Sequence, residues 1–363
     1  MHQYFKYLAI FALSVFLILG YNNIPPSFLN TTIKIWRTSS SIKTILYWSP
    51  MYKQQDHYLG VGQTIFAHCQ YHNCNATYDR NHLPVDQFDA LIFHGLDYNT
   101  SRYDKPQKRN PNQVYIFAIL ESPDLTSPLI RYNNDFYNWT MTYRSDSDVV
   151  RRYGVYRKQN TGYKVPPATE IRNRKKKIAW FVSHCQVSSQ RDNLVERIRK
   201  VVPVDVYGSC GNLTCSVENK SECYDMMEKE YKFYLSFENS VCEDYVTEKM
   251  YNVLKRNVVP IVFGGANYDV LAPPKSVINV LDFESVKNLT DYIKYLDARP
   301  EEYLKYFEWK KDYVVDTSHK EVLCDLCKKL NEPRKTKFYG NIFTWWFGEN
   351  INKCFDKVIL KII

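Results

Sequence analysis

The chain has no G-x-G-x-x-G fingerprint, no internal repeat, and only one C-x-x-C, formed by Cys324 and Cys327. The first absence removes the usual dinucleotide-binding loop, and the second excludes a solenoid or a propeller. A single C-x-x-C does not supply four ligands at zinc-finger spacing, so we expect no structural zinc. We expect no D-x-D between strands, and therefore no carboxylate clamp for a phosphate-bridging metal.

The composition describes an ordinary globular protein with room for two cores. The chain has 363 residues, of which 45% are hydrophobic, and this excludes a disordered or fibrous protein. Its net charge is +9, with the densest basic run, RNRKKK, at 172–177. That run could bind nucleic acid, but its place before the apolar IAWFVS favours a solvated linker that leads into a strand. We therefore expect no nucleic acid partner.

An uncharged apolar run, YLAIFALSVFLILGY, occupies residues 7–21. It is short of the ~20 residues that cross a bilayer comfortably, which would suit a cleaved signal peptide. The exit GYNNIPPSF lacks an A-x-A-like cleavage site, however, so we expect an uncleaved transmembrane signal anchor. Residues 1–6 would then be a cytoplasmic tail and residues 22–43 a polar stem.

Glycosylation triplets and cysteines indicate that the rest of the chain lies in the secretory lumen. Seven N-x-S/T triplets follow the apolar run, and the one at Asn138 lies in an aromatic stretch and is expected to be buried. The six expected to carry glycans are Asn30, Asn75, Asn99, Asn212, Asn219 and Asn288. Ten cysteines, an even number, predict disulfides in an oxidising compartment, with the pairing left open.

Apolar runs predict the secondary structure. In the first half, strands are predicted at TILYWS, QTIFAHC, ALIFH, QVYIFAIL and WTMTY. After a basic and polar boundary at 151–177, strands at KIAWFVS, VDVYG, YKFYLSF and VVPIVF alternate with segments whose apolar residues recur at helical spacing. This alternation predicts an α/β fold with a parallel sheet covered on both faces, in which ligands bind at the carboxyl ends of the strands.

The stretch FYLSFENSVCEDYVTEK, at 233–249, crowds polar groups directly after one of these strands. The side chains of FENS can hydrogen-bond a sugar or a ribose. We expect Asp244 to cap the next helix, so that the amides of its first turn and Lys249 form an anion site. Arg191 begins another helix after a strand and is expected to converge with Lys249. The alternative is an ordinary capped helix with a solvated first turn.

The first half offers a candidate acid–base residue. The run QVYIFAILESPDL ends a strand with Glu121, after which Ser122 and Pro123 force a turn. A glutamate held beside aromatic neighbours can act as a general base, although most glutamates at strand ends are only solvated. His94 ends the strand ALIFH and is expected to point into the same cleft.

The stretch FYLSFENSVCEDYVTEKMYNVLKRNVVPIVFGG resembles the donor-binding signature of the alpha-1,3-fucosyltransferases, glycosyltransferase family 10. The likeness extends to ESPDL, YNWTMTYRSDSDV, YFEWKKDY and CDLC. It implies a GT-B arrangement, with two facing Rossmann-like domains after the anchor and stem, in a single-pass type II protein of the Golgi membrane with a lumenal catalytic domain. The acceptor-binding domain would span 44–165, the GDP-fucose-binding domain 166–350, and a C-terminal tail 351–363.

The resemblance also implies inverting transfer of L-fucose from GDP-fucose, and it assigns roles residue by residue. Glu121 matches the general base. The donor-site positions are Arg191 and Lys249 at the pyrophosphate, with Tyr234, Glu238, Asn239, Tyr245 and Glu248 around guanosine, ribose and fucose. His94 and Asp146 are acceptor-side candidates, and Cys69 and Cys74 would be bridged to Cys324 and Cys327. No metal site in the protein is implied, and Mn²⁺ or Mg²⁺ is expected only as an activator.

Departures from the family bear on the acceptor. The chain reads FHGLD where Lewis-type members read FHHRD, and Arg152, Tyr153 and Gly154 stand for PYG. The stretches SHC, VDVYGSCG and VFGGANYDVLAPPKSVIN, with three additional cysteines, look closer to plant and invertebrate members that fucosylate the asparagine-linked GlcNAc of N-glycans. This core GlcNAc is the acceptor we expect. Terminal N-acetyllactosamine or LacdiNAc is the first alternative, and a glycan-binding protein without catalysis is the second.

Overall fold

The computed structural model describes residues 41–96, 105–127, 133–215 and 220–354. The predicted anchor, nearly all of the stem, and the triplets at Asn30, Asn99 and Asn219 lie outside these ranges. Within them, no helix combines the length and the apolar character needed to cross a bilayer. The described residues from 42 onward form one compact unit.

The first sheet of the described chain has six parallel strands in the order β2-β1-β3-β4-β5-β6. They are β1 (Lys43–Tyr47), β2 (Cys74–Thr77), β3 (Ala90–His94), β4 (Val114–Ile119), β5 (Trp139–Thr142) and β6 (Val149–Val150). Alternate residues of β1, β3 and β4 enter two separate apolar layers, one on each face of the sheet. Because the strands are parallel, their carboxyl ends meet at one edge, where β3 ends at His94 and Glu121 follows β4.

The later strands form a second parallel sheet and a small ribbon. They are β7 (Val155–Lys158), β8 (Lys176–Phe181), β9 (Val204–Tyr207), β10 (Tyr231–Phe237), β11 (Val259–Phe263), β12 (Ile278–Asn279) and β13 (Tyr313–Asp316). Among the residues described, the second sheet has the order β12-β11-β10-β8-β9, all parallel, and β7 pairs antiparallel with β13. Every residue of β10 and β11 is buried, as expected for central strands of a parallel sheet covered on both faces.

Helices cover both faces of the second sheet, but the first sheet receives its helices from the end of the chain. The α-helices are α1 (Ala168–Asn173), α2 (Arg191–Arg199), α3 (Lys220–Glu230), α4 (Glu248–Leu254), α5 (Tyr268–Leu271), α6 (Val286–Ala298), α7 (Pro300–Leu304), α8 (Lys320–Asn331) and α9 (Ile342–Phe347). Short 3-10 helices lie at Thr64–Phe66, Val85–Gln87, Pro123–Leu125, Val280–Asp282 and Lys305–Lys311. The apolar side chains of α2 and α6 pack on one face of the second sheet, whereas α3 and α4 pack on the other.

The chain returns to the first sheet after leaving the second. Helix α8 buries Leu323 and Leu326 in one apolar layer of the first sheet, and α9 buries Trp346 in the other. Both helices fall inside 166–350, the range expected for the donor domain, so the end of that range packs with the other sheet. The disulfides Cys69–Cys324 and Cys74–Cys327 fix α8 in this position.

Disulfide bonding of the chain is confirmed, since all ten cysteines are paired. The remaining bridges are Cys185–Cys210, Cys215–Cys223 and Cys242–Cys354. Of the glycosylation triplets described, those at Asn212 and Asn288 are exposed and that at Asn75 is half-buried. Asn138 is buried, and its side-chain oxygen accepts a hydrogen bond from the backbone N–H of Tyr115 at 2.8 Å.

Two local predictions are wrong. QTIFAHC forms a 3-10 turn rather than a strand, because it sits where Phe66 enters the core and Cys69 reaches α8. The basic run at 172–177 is not simply a solvated linker. The guanidinium of Arg174 is buried and donates to the carbonyl of Tyr231 at 3.2 Å, and Lys177 pairs with Asp297 at 2.5 Å.

Candidate active site

A cavity of ≈ 690 Å³ lies between the carboxyl edges of the two sheets. The first sheet contributes Glu121 and Tyr153 to its wall, and the second sheet contributes most of the rest. The predicted residues on the wall are Glu121, Arg191, Tyr234, Asn239, Tyr245, Glu248 and Lys249. Candidates from distant parts of the sequence therefore share one cavity, as the parallel arrangement of the strands requires.

Glu238 lies beneath this wall rather than on it. It follows β10, is 1% exposed and is not among the lining residues. Its carboxylate accepts hydrogen bonds from the backbone N–H of Thr247 at 2.8 Å and from the Lys249 ammonium at 3.2 Å. Burial raises the pKa of Glu238, although Lys249 opposes this shift. The oxygens of Glu238 hold the start of α4, and direct contact of Glu238 with a sugar or ribose stays a prediction.

The helix α4 begins later than predicted, and Thr247 rather than Asp244 caps it. The Thr247 hydroxyl accepts from the backbone N–H of Lys249 at 3.4 Å. Asp244 has a φ of +60°, in the left-handed region, and its carboxylate accepts from the Ser145 backbone N–H at 2.9 Å. This contact ties the turn to the first sheet. Since Glu238 also takes the Thr247 N–H, the predicted anion site depends mainly on side-chain cations, not on free amides.

Lys249 supplies one of those cations. Its side chain is 22% exposed on the cavity wall and pairs with Glu238 at 3.2 Å and Glu248 at 3.5 Å. Burial lowers the pKa of Lys249, but the two carboxylates outweigh burial and the net shift is upward. Lys249 is therefore protonated at neutral pH. Arg191 opposes this rise in the Lys249 pKa, and both cations line the same cavity.

Arg191 is a buried residue that also braces the wall. Its guanidinium donates to the Phe237 carbonyl at 2.7 Å and the His184 carbonyl at 2.8 Å, while its Nε is buried with no hydrogen-bond partner among the described residues. Burial lowers the pKa of Arg191. The side chain is only 2% exposed, yet it forms part of the cavity lining. An anion in the cavity would thus meet a cation that is already fixed in position.

An aromatic cluster forms another part of the wall, and only Tyr234 of this cluster is predicted from the sequence. The ring of Phe181 lies 5.3 Å from Tyr207, 5.7 Å from Tyr224 and 5.3 Å from Tyr234, measured between centroids. The disulfide Cys215–Cys223 lines the cavity beside these rings. The signal for two of the missed residues was their position, because Phe181 and Tyr207 end β8 and β9 at the carboxyl edge.

Glu121 faces this wall from the first sheet. Its carboxylate accepts a hydrogen bond from the Tyr245 hydroxyl at 3.1 Å. Burial raises the pKa of Tyr245 well above its ordinary value, so the phenol remains a donor at neutral pH. Below it, the Ser122 hydroxyl donates to the Ser240 hydroxyl at 2.8 Å. The carboxylate is therefore oriented by contacts that cross from one sheet to the other.

The acceptor-side candidates do not line the cavity. His94 is fully buried, its backbone N–H donates to the Ser49 hydroxyl at 2.8 Å, and its ring packs edge-on against Tyr52. Asp146 pairs with Arg144, whose Nε lies 2.9 Å from it. Gly95, one of the departures in FHGLD, serves packing, because a Cβ there would lie 2.5 Å from the Phe117 ring.

No metal site emerges from the described residues. The groups that bring histidine, cysteine and acidic side chains together are His68 with Cys69 and Cys324, and Asp124 with Cys242 and Cys354. Their cysteines are all in disulfides and offer no thiolate. The expectation that no D-x-D lies between strands is wrong, because Asp146 and Asp148 lie between β5 and β6. Asp148, however, accepts from the Thr140 backbone N–H at 3.0 Å and pairs with Lys337 at 2.5 Å.

Comparison with known families defines the class of protein. Residues 40–154 match the model for the N-terminal part of fucosyltransferases, and residues 171–345 match the C-terminal part of glycosyltransferase family 10 (fucosyltransferase). The chain therefore belongs to glycosyltransferase family 10, the fucosyltransferases, and is a glycosyltransferase.

Individual relatives agree with this assignment. The chain is 38% identical over 303 residues to alpha-(1,3)-fucosyltransferase C of Drosophila melanogaster, covering 77% of this chain and 71% of the relative. It is 33% identical to glycoprotein 3-alpha-L-fucosyltransferase A of the same species, with 87% and 62% covered. Alpha-(1,3)-fucosyltransferase fut-1 of Caenorhabditis elegans is 35% identical, with 79% and 67% covered. The chain thus spans from 62% to 71% of the length of these relatives.

Solved structures share the fold. The crystal structure of an alpha1,3-fucosyltransferase with GDP-fucose superimposes with a TM-score of 0.52 at 18% identity, covering 81% of this chain and 91% of that one. The crystal structure of an alpha1,3-fucosyltransferase with GDP gives a TM-score of 0.53 at 16% identity, with 82% and 93% covered. At these identities the likeness concerns the α/β fold of parallel sheets.

Proposed function

We propose that the protein transfers L-fucose from GDP-fucose in alpha-1,3 linkage to a GlcNAc of glycoprotein glycans, with inversion at the anomeric carbon. The observation that carries this proposal is the position of Glu121 on one wall of the cavity, facing Lys249 and Arg191 on the other. A base on one side and cations on the other suit a single displacement in which a hydroxyl attacks and a diphosphate leaves.

The second sheet provides the donor site in this proposal. Lys249 and Arg191 neutralise the pyrophosphate of GDP-fucose, and they stabilise the negative charge that grows on GDP as the glycosidic bond breaks. The rings of Phe181, Tyr207 and Tyr224 offer flat apolar surfaces for the guanine base. Tyr234, Asn239, Tyr245 and Glu248 complete the wall around ribose and fucose. Glu238 acts through Thr247 and Lys249 as a positioning residue.

Glu121 acts as the general base. It takes the proton of the acceptor hydroxyl, the acceptor oxygen bonds to the anomeric carbon, and the bond from that carbon to the β-phosphate oxygen breaks with its electrons passing to GDP. Attack from the face opposite GDP inverts the configuration. The hydrogen bond from Tyr245 at 3.1 Å holds the carboxylate in place for this step.

The remaining assignments belong to the same proposal. The two parallel sheets with a cavity between their carboxyl edges support a GT-B arrangement, with the domains close to 44–165 and 166–350. The apolar run at 7–21 would anchor the protein in the Golgi membrane as a type II protein, with the described residues in the lumen. Mn²⁺ or Mg²⁺ would act as an activator without a site in the protein, by pairing with the diphosphate.

For the acceptor we propose the asparagine-linked core GlcNAc of N-glycans, on the resemblance of SHC, VDVYGSCG and VFGGANYDVLAPPKSVIN to the plant and invertebrate branch. The names of the relatives are compatible both with the core GlcNAc and with terminal N-acetyllactosamine as the acceptor. One Drosophila relative is called a glycoprotein 3-alpha-L-fucosyltransferase, and a human relative at 34% identity is called a 4-galactosyl-N-acetylglucosaminide 3-alpha-L-fucosyltransferase. Transfer to terminal N-acetyllactosamine or LacdiNAc is therefore the second candidate.

The test is an assay of the full chain with GDP-fucose and two acceptors, a GlcNAc-terminated N-glycopeptide and free N-acetyllactosamine. We expect transfer to the core GlcNAc of the glycopeptide, located by mass spectrometry. Transfer to lactosamine alone would overturn the core assignment. Transfer to neither would favour a glycan-binding protein without catalysis.

The role of Glu121 has its own variant. Glu121→Gln should lose transfer while GDP binding, measured by calorimetry, stays unchanged. Glu301→Gln, on the exposed surface, is the matched control and should keep full activity. An active Glu121→Gln variant would remove the base assignment.

A further inference from the structure

A tight turn at residues 51–54 stands at the carboxyl edge of the first sheet, shortly after β1; we call it the Tyr52 turn. The backbone N–H of Met51 donates to the Gln54 carbonyl at 2.9 Å, and that of Gln54 donates to the Met51 carbonyl at 2.9 Å. The two central residues, Tyr52 and Lys53, have φ values of +50° and +71°. Turns of this geometry normally hold asparagine and glycine, so the chain maintains a large aromatic residue where it is sterically costly.

The Tyr52 turn lies at the same edge of the first sheet as Glu121, although residues 51–54 do not themselves line the cavity. The ring of Tyr52 packs edge-on against His94 with centroids 4.9 Å apart, and His94 ends β3, the neighbour of β4. Tyr52 also lies near Tyr153 of the cavity wall. Burial raises the pKa of Tyr153 most, and the charges of Glu121, Glu248 and Tyr52 add to the rise. Because β3 lies between β1 and β4, the strand that precedes Tyr52 is two spacings, about 10 Å, from the strand that precedes Glu121.

Buried contacts hold the turn rigidly from below. Arg151 is 1% exposed, and its guanidinium donates to the Met51 sulfur at 3.8 Å and to the His57 carbonyl at 2.6 Å. The His57 ring in turn lies 2.6 Å from the Ser49 carbonyl. Burial lowers the pKa of Arg151 to about 10, which leaves it charged at neutral pH. A residue presented by such a scaffold is fixed before a ligand arrives.

Above this scaffold the Tyr52 side chain remains 40% exposed. A tyrosine ring offers an apolar face to the C–H groups of a sugar and a hydroxyl to its polar groups. We propose that Tyr52 is an acceptor-recognising residue, whose ring stacks on the pyranose ring next to the GlcNAc that faces Glu121. This inference rests on the proposed function and adds to it the contact that separates an oligosaccharide acceptor from a single sugar.

The test compares two acceptors on the full chain, the GlcNAc-terminated N-glycopeptide and the β-methyl glycoside of GlcNAc. Tyr52→Ala should lower kcat/KM for the glycopeptide roughly 3- to 10-fold, as expected for the loss of one stacking contact. It should leave kcat/KM for the methyl glycoside and the KM for GDP-fucose unchanged. Tyr52→Phe and Tyr52→Trp should keep most of the glycopeptide activity. Tyr295→Ala is the matched control, because Tyr295 is also 40% exposed but lies on α6.

Equal losses for both acceptors, or no loss for either, would overturn the inference. A donor-independent measurement separates it from the proposed function: saturation-transfer NMR of the glycopeptide bound to the wild-type chain and to Tyr52→Ala. If the sugar contacts disappear in Tyr52→Ala and the wild-type chain transfers no fucose, the proposed function is wrong and the inference about Tyr52 stands. Unchanged sugar contacts in Tyr52→Ala would sink the inference alone.

Discussion

The ion pair of Glu238 and Lys249 can be broken from either side, and the two single variants should differ in their effects. Lys249→Met leaves the Glu238 carboxylate 1% exposed, with its remaining described hydrogen bonds coming from the backbone N–H and hydroxyl of Thr247. Glu238→Gln leaves Lys249 22% exposed and still within 3.5 Å of Glu248. The carboxylate is the more deeply buried partner, so removing its cation is the larger perturbation.

These burial differences set the expected magnitudes. Removing one partner of a fully buried pair costs about 3–5 kcal/mol, and the partial exposure of Lys249 reduces this to about 2–3 kcal/mol for Lys249→Met. Glu238→Gln should cost about 1–2 kcal/mol, because one charged hydrogen bond is lost and Lys249 keeps water and Glu248. The double variant removes both charges and should cost less than the sum, with a coupling free energy of about 1–2 kcal/mol.

The deficit of Lys249→Met should depend on pH. Without the opposing cation, burial raises the pKa of Glu238 further above its ordinary value. A carboxyl whose folded pKa is raised contributes stability that is fully present below its unfolded pKa and is lost as the pH rises through the folded pKa. Lys249→Met should therefore lose more stability at pH 7 than at pH 5. It should also weaken GDP binding about tenfold or more, since a cation leaves the cavity wall.

The assay is urea unfolding of the full chain with its disulfides intact, at both pH values, for the wild type, the two single variants and the double variant. Lys305→Met, which breaks an exposed pair with Glu302, is the control and should change little. Additive single-variant effects, or a Lys249→Met deficit that is the same at both pH values, would show that Glu238 and Lys249 are not a buried, coupled pair.

Three further perturbations address the first sheet. Replacing Cys74 and Cys327 by serine together leaves the neighbouring Cys69–Cys324 bridge in place, so the loop that is opened between the two bridges has only about 10 residues. The chain-entropy relation then gives a loss of about 3 kcal/mol, visible as a lower Tm, and an unchanged Tm would mean that α8 docks without the second bridge. Burial lowers the pKa of His57 to about 3, so the stability that neutral His57 contributes is present above pH ~6.5 and is lost as the pH falls towards 3. His57→Gln should therefore flatten the fall in unfolding free energy between pH ~6.5 and ~4. An unaltered slope would show that His57 is not the source of that fall. Lys53→Gly should stabilise the chain by about 1 kcal/mol in urea unfolding, because glycine adopts a φ of +71° without strain, and a loss of stability would show that the turn is not strained.

Local patterns predicted the strands well where a run is apolar throughout. The strands β3, β4, β10 and β11 are buried along their whole length, and each appears in the sequence as a mostly apolar run. Helical spacing predicted α2 and α6 for the same reason. The 3-10 turn at Thr64–Phe66 was taken for a strand because a short apolar run does not distinguish the two.

The location of the candidate site was predictable from the sequence, but its hydrogen bonds and ion pairs were not. Parallel strands send their carboxyl ends to one edge, which is enough to bring Glu121, Arg191 and Lys249 together. The burial of Glu238 and the capping by Thr247 depend on how the turn folds back under α4, and no local rule gives this. Asp244 fits the composition of a helix cap, but its contact with Ser145 of the other sheet holds it elsewhere.

The return of α8 and α9 to the first sheet also sets an order for biosynthesis. The two α-helices that cover this sheet in the described chain come from residues after 319, so a nascent chain exposes the apolar faces of β1, β3 and β4 until α8 and α9 have been translated. The second sheet has its own helices and can fold first, although its residues are made later. A ribosome stalled before Lys320 would therefore carry a folded second half and an unfinished first half, which is a substrate for chaperones.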